Sequence, residues 1–290
     1  MSFQRRLASG KFVILAEMNT PKGVNVSELV ANSRRIKGRV DAVIIPDMDD
    51  GVMRMSALAG GALIQQQGME TIVHIYCRDR NRMALQGDIL AAHVLGIRNL
   101  MVVPGEAIAN GDHRDATPVA DLNELELINT IQSLQNGVDM AGFSLNGSPE
   151  FTTGCTLCHF ANDQALNDEL SKLEKKIDAG ARFIVTPPVF DVDQFAVSLE
   201  KIAALKVPVI ATVFLIKSVG IARYMALNEP GAHISEEMIK RIRKAPDREL
   251  ECLKLAGETV AALKPLVQGV KIETLGWEHK LPAILGFAGL

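Results

Sequence analysis

The chain predicts an α/β fold: a single (β/α)8 TIM barrel with extended loops after strands 4 and 5. Three observations lead there. Short, nearly continuous apolar stretches recur eight times, and a stretch with helical periodicity lies between successive ones. Strands that are apolar on both faces belong to parallel sheets covered by helices on each side. The 290 residues match the roughly 250 that a closed barrel of eight such units requires, so a closed sheet is favoured over an open one.

The best-defined unit is NDELSKLEKKIDAGARFIVTPPVFD, residues 167–191. Leu170, Leu173, Ile177 and Ala181 recur at helical spacing among charged residues, and Gly180 provides a left-handed stop. Residues 182–186 then read as a short buried strand that Pro187-Pro188 ends. By the same reasoning the other strands fall at 12–16, 40–45, 71–75, 99–103, 138–143, 208–214 and 270–273. Helical patterns occupy 27–37, 54–67, 82–95, 121–135, 167–178 and 191–205. A longer helical region spans 218–266, and GWEHKLPAILG supplies the closing helix. Gly96 and Gly137 turn the chain back toward strands four and five, as Gly180 does toward strand six. Residues 104–119 and 144–166 form the two long connections, both leaving carboxyl ends of strands, the face on which barrel sites form. No internal repeat, linker or low-complexity tract divides the chain, which is read as one domain over 1–290.

A net charge of -3 without a Lys/Arg stripe argues against nucleic-acid binding. No apolar run reaches the roughly 18 residues of a membrane span. The basic N-terminus lacks a signal-peptide core, and the expected location is the cytoplasm. Four cysteines do not make a disulfide framework. Exposed barrel helices leave an oligomer open.

Chemistry-bearing residues gather at the strand ends. Glu17 follows the first strand, where partial burial would raise its pKa and make it a general acid; the alternative is a loop-holding hydrogen bond. Asp47, Asp49 and Asp50 follow strand two, spaced for a divalent ion or for capping the next helix. His74 ends strand three, facing a ligand or satisfied in the core. Gly105 and Glu106 follow strand four, a close backbone approach beside a carboxylate. Cys155-Thr-Leu-Cys158-His159 offers half of a metal site, a redox pair or two reduced structural thiols. Phe183, Phe190 and Phe195 could wall a planar cofactor or pack the core. Neither G-x-G-x-x-G after a strand nor a P-loop is present, which disfavours both nucleotide-binding folds.

In order and spacing, FVILAEMNTPKG, HIYCRDRNRMAL, VVPGE with its Gly/Asp-rich loop, ADLNELELI and LSKLEKKIDAGARFIVTPPVFDVDQF together resemble the methylenetetrahydrofolate reductase family, in its flavin-bearing barrel, over essentially the whole chain. The resemblance implies reduction of 5,10-methylenetetrahydrofolate to 5-methyltetrahydrofolate, or the reverse, through a bound flavin: FAD, with FMN the alternative. It implies a tetrahydrofolate-type substrate and an electron donor that is NAD(P)H or a redox partner protein. Carried over by residue, it makes Glu17 the general acid that opens the methylene-bridged ring and His74 a flavin contact. The strand-four Arg-Gly-Asp pattern falls on Pro104, Gly105 and Glu106, whose carboxylate faces flavin and folate. The flavin-binding acid and lysine of the following helix fall on Glu169 and Lys176. The strand-two pair that meets nicotinamide and flavin falls on Pro46-Asp47, and the folate-binding glutamine after strand six on Pro187. Met18-Asn19-Thr20 replaces the aromatic first turn. Two other classes compete: a pterin methyltransferase handing a methyl group to a corrinoid protein, and a non-catalytic partner subunit of a redox complex.

Overall fold

In a computed structural model that describes residues 2–158, 162–229 and 231–290, eight parallel strands close into a barrel in sequence order, the last pairing with the first. The strands are β1 (Val13–Glu17), β2 (Ala42–Ile45), β3 (Thr71–Tyr76), β4 (Asn99–Val103), β5 (Thr152–Thr156), β6 (Phe183–Pro188), β7 (Val209–Phe214) and β8 (Gly269–Glu273). A short helix, α1 (Phe3–Ala8), precedes them. The connecting helices are α2 (Ser27–Ile36), α3 (Ala57–Gln66), α4 (Arg82–Val94), α5 (Glu124–Gln135), α6 (Asp163–Asp178) and α7 (Val192–Ile202). After β7 come α8 (Val219–Asn228), α9 (Glu236–Lys244) and α10 (Arg248–Leu263), and α11 (Leu281–Phe287) follows β8. Among the described residues, no helix is long and apolar enough to cross a membrane.

Period-two alternation sorts most strands between two apolar clusters, β5 and β8 giving apolar residues to the outer one alone. Val13, Leu15, Ile44, Ile72, Met101, Phe183, Val185 and Ile210 fill the barrel interior, while Ala16, Val43, Val73, Val102, Ile184, Val270 and Ile272 pack outward against the helices. α1 closes the amino-terminal end of the cylinder. Its Phe3 and Leu7 join the interior cluster, and the Phe3 ring meets that of Phe183 edge-on at 5.3 Å. Gly154 makes room for this arrangement, since a Cβ there would overlap the Phe183 ring.

Strand five is displaced from its sequence expectation. Residues 138–143 form a turn, in which the Asp139 carboxylate accepts from the amides of Ala141 and Phe143, Gly142 has φ +89°, and Phe143 is 71% exposed. The true strand, Thr-Thr-Gly-Cys-Thr, has too few aliphatic side chains to register as an apolar run. It suits a doubly covered sheet because threonine is β-branched and Phe183 fills the space above Gly154. The long stretch expected after strand five therefore precedes it. The connection after strand four, residues 104–123, is long as expected. Helix starts move with their caps: Asn123 makes a capping box with Glu126 at α5, and the Asn162 side chain accepts from the Ala165 amide at α6.

Candidate active site at the carboxyl end of the barrel

Among the described strand residues, charge enters the interior at Glu17, the carboxyl end of β1, and on β8 at Lys271 and Glu273. Glu17 is two residues beyond Leu15 on β1, and Lys271 and Glu273 alternate with the outward-facing Val270 and Ile272 on β8. The register sets Leu15 opposite Lys271 and Glu17 opposite Glu273. The Lys271 ammonium donates to Glu17 Oε2 at 2.8 Å and also to Glu273 Oε1. Glu17 and Lys271 are only 7% and 8% exposed. Burial is the main cause that pushes the Glu17 carboxyl up to about 8; Lys271 opposes the rise, and Glu273 and Asp49 add to it. The lysine itself is held above its ordinary value by the two carboxylates, which outweigh its burial, so it keeps its charge.

His74 stands between Ile72 and Tyr76 on the inner face of β3. Burial first, then the positive Lys271, holds it down at about 3, a neutral imidazole whose buried Nδ1 has no hydrogen-bond partner. Tyr76 lies 5.8 Å from it, ring to ring, and its hydroxyl donates to Asp49 Oδ1 at 3.0 Å. Arg78 ties three strand ends together. Its guanidinium donates to the carbonyls of Met48 and Glu106, both at 3.0 Å, and pairs with Asp79 at 2.7 Å. Gly105, at φ +87°, lets the β4 loop lie against Arg78; a Cβ there would be 3.0 Å from the arginine's own Cβ. Glu106 Oε2 is buried 3.6 Å from Arg78 and accepts no hydrogen bond, and burial raises its pKa. A separate cavity of about 320 Å³ opens at the end of β6, walled by Leu157, Pro187, Val189, Phe190 and Phe195, and none of the groups just described lines it.

The other residues that the sequence singled out sit elsewhere. Asp47 is 3% exposed; one oxygen accepts from the Ala57 amide at the start of α3, and the other pairs with Arg80 at 2.6 Å. This is the helix-capping alternative. Cys155 points outward from β5, and Cys158 follows the strand, its amide donating to Glu169 Oε1 at 3.1 Å. Lys176 is buried in the same outer layer and donates to Glu124 Oε1 at 2.8 Å. Both thiols are free; burial pushes Cys155 up to about 12, while Cys158, whose residue is exposed, is raised by partial desolvation and the neighbouring Glu169 and Glu124 carboxylates. Among the described residues, no group of three or more His, Cys, Asp or Glu could hold a metal; His159 lies outside them. Sequence reasoning missed Lys271 and Glu273. The signal was present: two charges two residues apart in an otherwise apolar strand, which alternation directs to one face.

The sequence profile of the family described as methylenetetrahydrofolate reductase matches residues 2–287. Methylenetetrahydrofolate reductase 2 of Saccharomyces cerevisiae is 26% identical over 218 residues, 71% of this chain and 34% of the yeast protein. Methylenetetrahydrofolate reductase 1 of Schizosaccharomyces pombe is 24% identical over 147 residues, 49% of this chain and 22% of that protein. The matches thus span about a third or less of the curated relatives. Among solved structures, an uncharacterized protein from Clostridium thermocellum that binds two copies of 5-methyl-5,6,7,8-tetrahydrofolic acid superposes with a TM-score of 0.64. It is 14% identical, with 98% of this chain and 97% of that one covered. A 2,3-dimethylmalate lyase, 11% identical, gives a TM-score of 0.54 over 99% of this chain and 81% of its own. Both likenesses are of fold.

Proposed function

From the premise that this chain belongs to the methylenetetrahydrofolate reductase family, we propose that it interconverts 5,10-methylenetetrahydrofolate and 5-methyltetrahydrofolate at the carboxyl end of its barrel, with a bound flavin and with Glu17 as the general acid. The observation that carries this reading is the Glu17 carboxyl itself, buried at the mouth and raised to about 8. A carboxyl that keeps its proton at neutral pH is a competent donor to a departing amine nitrogen, and a positioned acid of this kind contributes about 10²–10⁴-fold. Glu17 delivers that proton to the nitrogen released as the methylene bridge opens. Glu106 lies across the mouth with an oxygen free of hydrogen bonds, and its carboxylate favours the positive charge that develops on the folate.

The residues present fit a flavin. His74 Nδ1 and Glu106 Oε2 are buried acceptors or donors without partners, as expected of groups that meet a ligand with hydrogen-bonding edges. His74, Gly105 and Glu106 would hold it. When bound, it would supply the hydride chemistry. FAD is the form proposed. Glu169 and Lys176 support the site from behind β5, fixing the end of that strand through the Cys158 amide and the start of α5 through Glu124. At the family's nicotinamide-facing pair, Pro46 has no amide donor and Asp47 is committed to α3 and Arg80. We therefore assign electron supply to a redox partner protein in preference to free NAD(P)H.

One anaerobic absorbance experiment tests the whole reading. The purified protein is expected to show flavin bands that bleach with methyltetrahydrofolate and respond slowly to NADH alone. Glu17→Gln is expected to retain the bands and lose about 10²–10⁴-fold in folate turnover. A colourless protein would favour a methyltransferase; unchanged turnover in the variant would remove Glu17 from the chemistry.

A further inference from the structure

Lys271 has no part in the chemistry assigned so far, yet it occupies a position a lysine rarely takes. It is inside the barrel, 8% exposed, in the register row that also holds Leu15 of β1 and Thr212 of β7. Lysine is almost never buried unless paired, and here one ammonium serves two carboxyls on adjacent strands, Glu17 and Glu273. Two carboxyls around one ammonium are neutral only when one carboxyl keeps a proton. The Glu273 side chain is 14% exposed and that of Glu17 8%, so the wetter carboxyl takes the charge and the drier one the proton.

The other groups that face Glu17 do not change this balance. Asp49, from the turn after β2, adds negative field and is itself bonded by Tyr76; His74 on β3 is neutral. Among the groups acting on Glu17, Lys271 is the cation.

Resting on the reductase reading above, we propose that Lys271 is a positioning residue: its ammonium, shared between the two carboxyls, holds Glu17 in the mouth and keeps the charged Glu273 beside it, and the Glu273 charge leaves the single shared proton on Glu17. No covalent step is involved; the proton that Glu17 gives up leaves the three-group cluster and is replaced from solvent.

The test is an infrared titration of the carboxyl groups in the ligand-free protein, with the Glu17 band assigned by its loss in Glu17→Gln. Removing the cation in Lys271→Met is expected to raise the Glu17 midpoint by about one pH unit or more. Removing the opposing carboxylate in Glu273→Gln is expected to lower it, and Lys271→Arg to restore the wild-type midpoint. A residue that merely filled space would not move the midpoint in opposite directions in the two variants. If both folded variants leave the midpoint in place, or shift it the same way, the proposal is wrong. Should Lys271→Met fail to fold, the direction of the Glu273→Gln shift decides alone. The titration contains no folate, so coupled midpoints in a protein without folate turnover would sink the reductase reading alone.

Discussion

The floor and the mouth of this barrel are made from the same strands by the same alternation, yet they follow opposite rules. At the floor, Phe3, Leu15, Ile72, Phe183 and Ile210 fill the cylinder, and each has lost its contact with water to apolar neighbours. Two residues further along β1, and again along β3, the inward positions become Glu17 and His74. Burial there is almost as deep, but the groups that meet are an ammonium, carboxyls and an unpartnered imidazole nitrogen. The comparison teaches that the apolar lower half supports the strained electrostatics of the upper half. Rigid packing below holds charged groups above in positions where water would otherwise relax them.

The largest effect is expected from breaking the floor. In Gly154→Leu the new side chain has to occupy the volume of the Phe183 ring, and overpacking of that kind is expected to remove about 3 kcal/mol or more. Chemical denaturation checks this, and pairing the change with Phe183→Ala is expected to recover most of the loss. If Gly154→Leu alone is neutral, the floor is looser than described.

Next is the outer layer behind β5. Lys176→Met leaves Glu124 without its partner, and losing this charged hydrogen bond is expected to cost about 1.5–3 kcal/mol, since the Glu124 side chain is half-buried. Adding Glu124→Gln is expected to restore most of the stability, with flavin content per folded molecule unchanged throughout. A variant of normal stability that has lost its flavin would instead make Lys176 a direct cofactor contact, as the family resemblance implies.

The smallest effect is a pH dependence that separates two mouth residues. His74 falls from an ordinary value of 6.5 to about 3, so the unfolded chain binds the extra proton and stability is lost as pH drops from 6.5 toward 3. Glu17 rises from 4.5 to about 8, so the folded chain keeps the extra proton. Its contribution is complete below 4.5 and is lost as pH climbs toward 8. Melting temperatures across this range are expected to lose the acid-side fall in His74→Gln and the alkaline-side fall in Glu17→Gln. Parallel curves for wild type and either variant would place that residue in water.

Much of the architecture was legible because it is local. Gly180 and Gly96 sit where helices end with positive φ, and the pattern of Leu170, Leu173 and Ile177 gives the helix that packs on the outer layer. Glu17, His74 and Glu106 were legible as site candidates for a related reason: Glu17 and Glu106 stand at or just beyond the end of an apolar strand, and His74 lies in the carboxyl half of one, where a barrel exposes its interior. Strand five was missed because it has few aliphatic side chains and its glycine is covered by Phe183 on the next strand, which no window of sequence displays.

By itself, then, the sequence determined the repeating unit, the closure number and the end of the barrel where polar groups gather, since periodicity and turn residues act within a few positions of one another. Only the tertiary structure decided which charges touch. Glu17 and Lys271 lie 254 residues apart and meet because β1 and β8 close the cylinder side by side. Asp47 was drawn away to α3 and Arg80 for a similar reason. Electrostatic partnership depends on distance and burial together, and both are set when the last strand reaches the first.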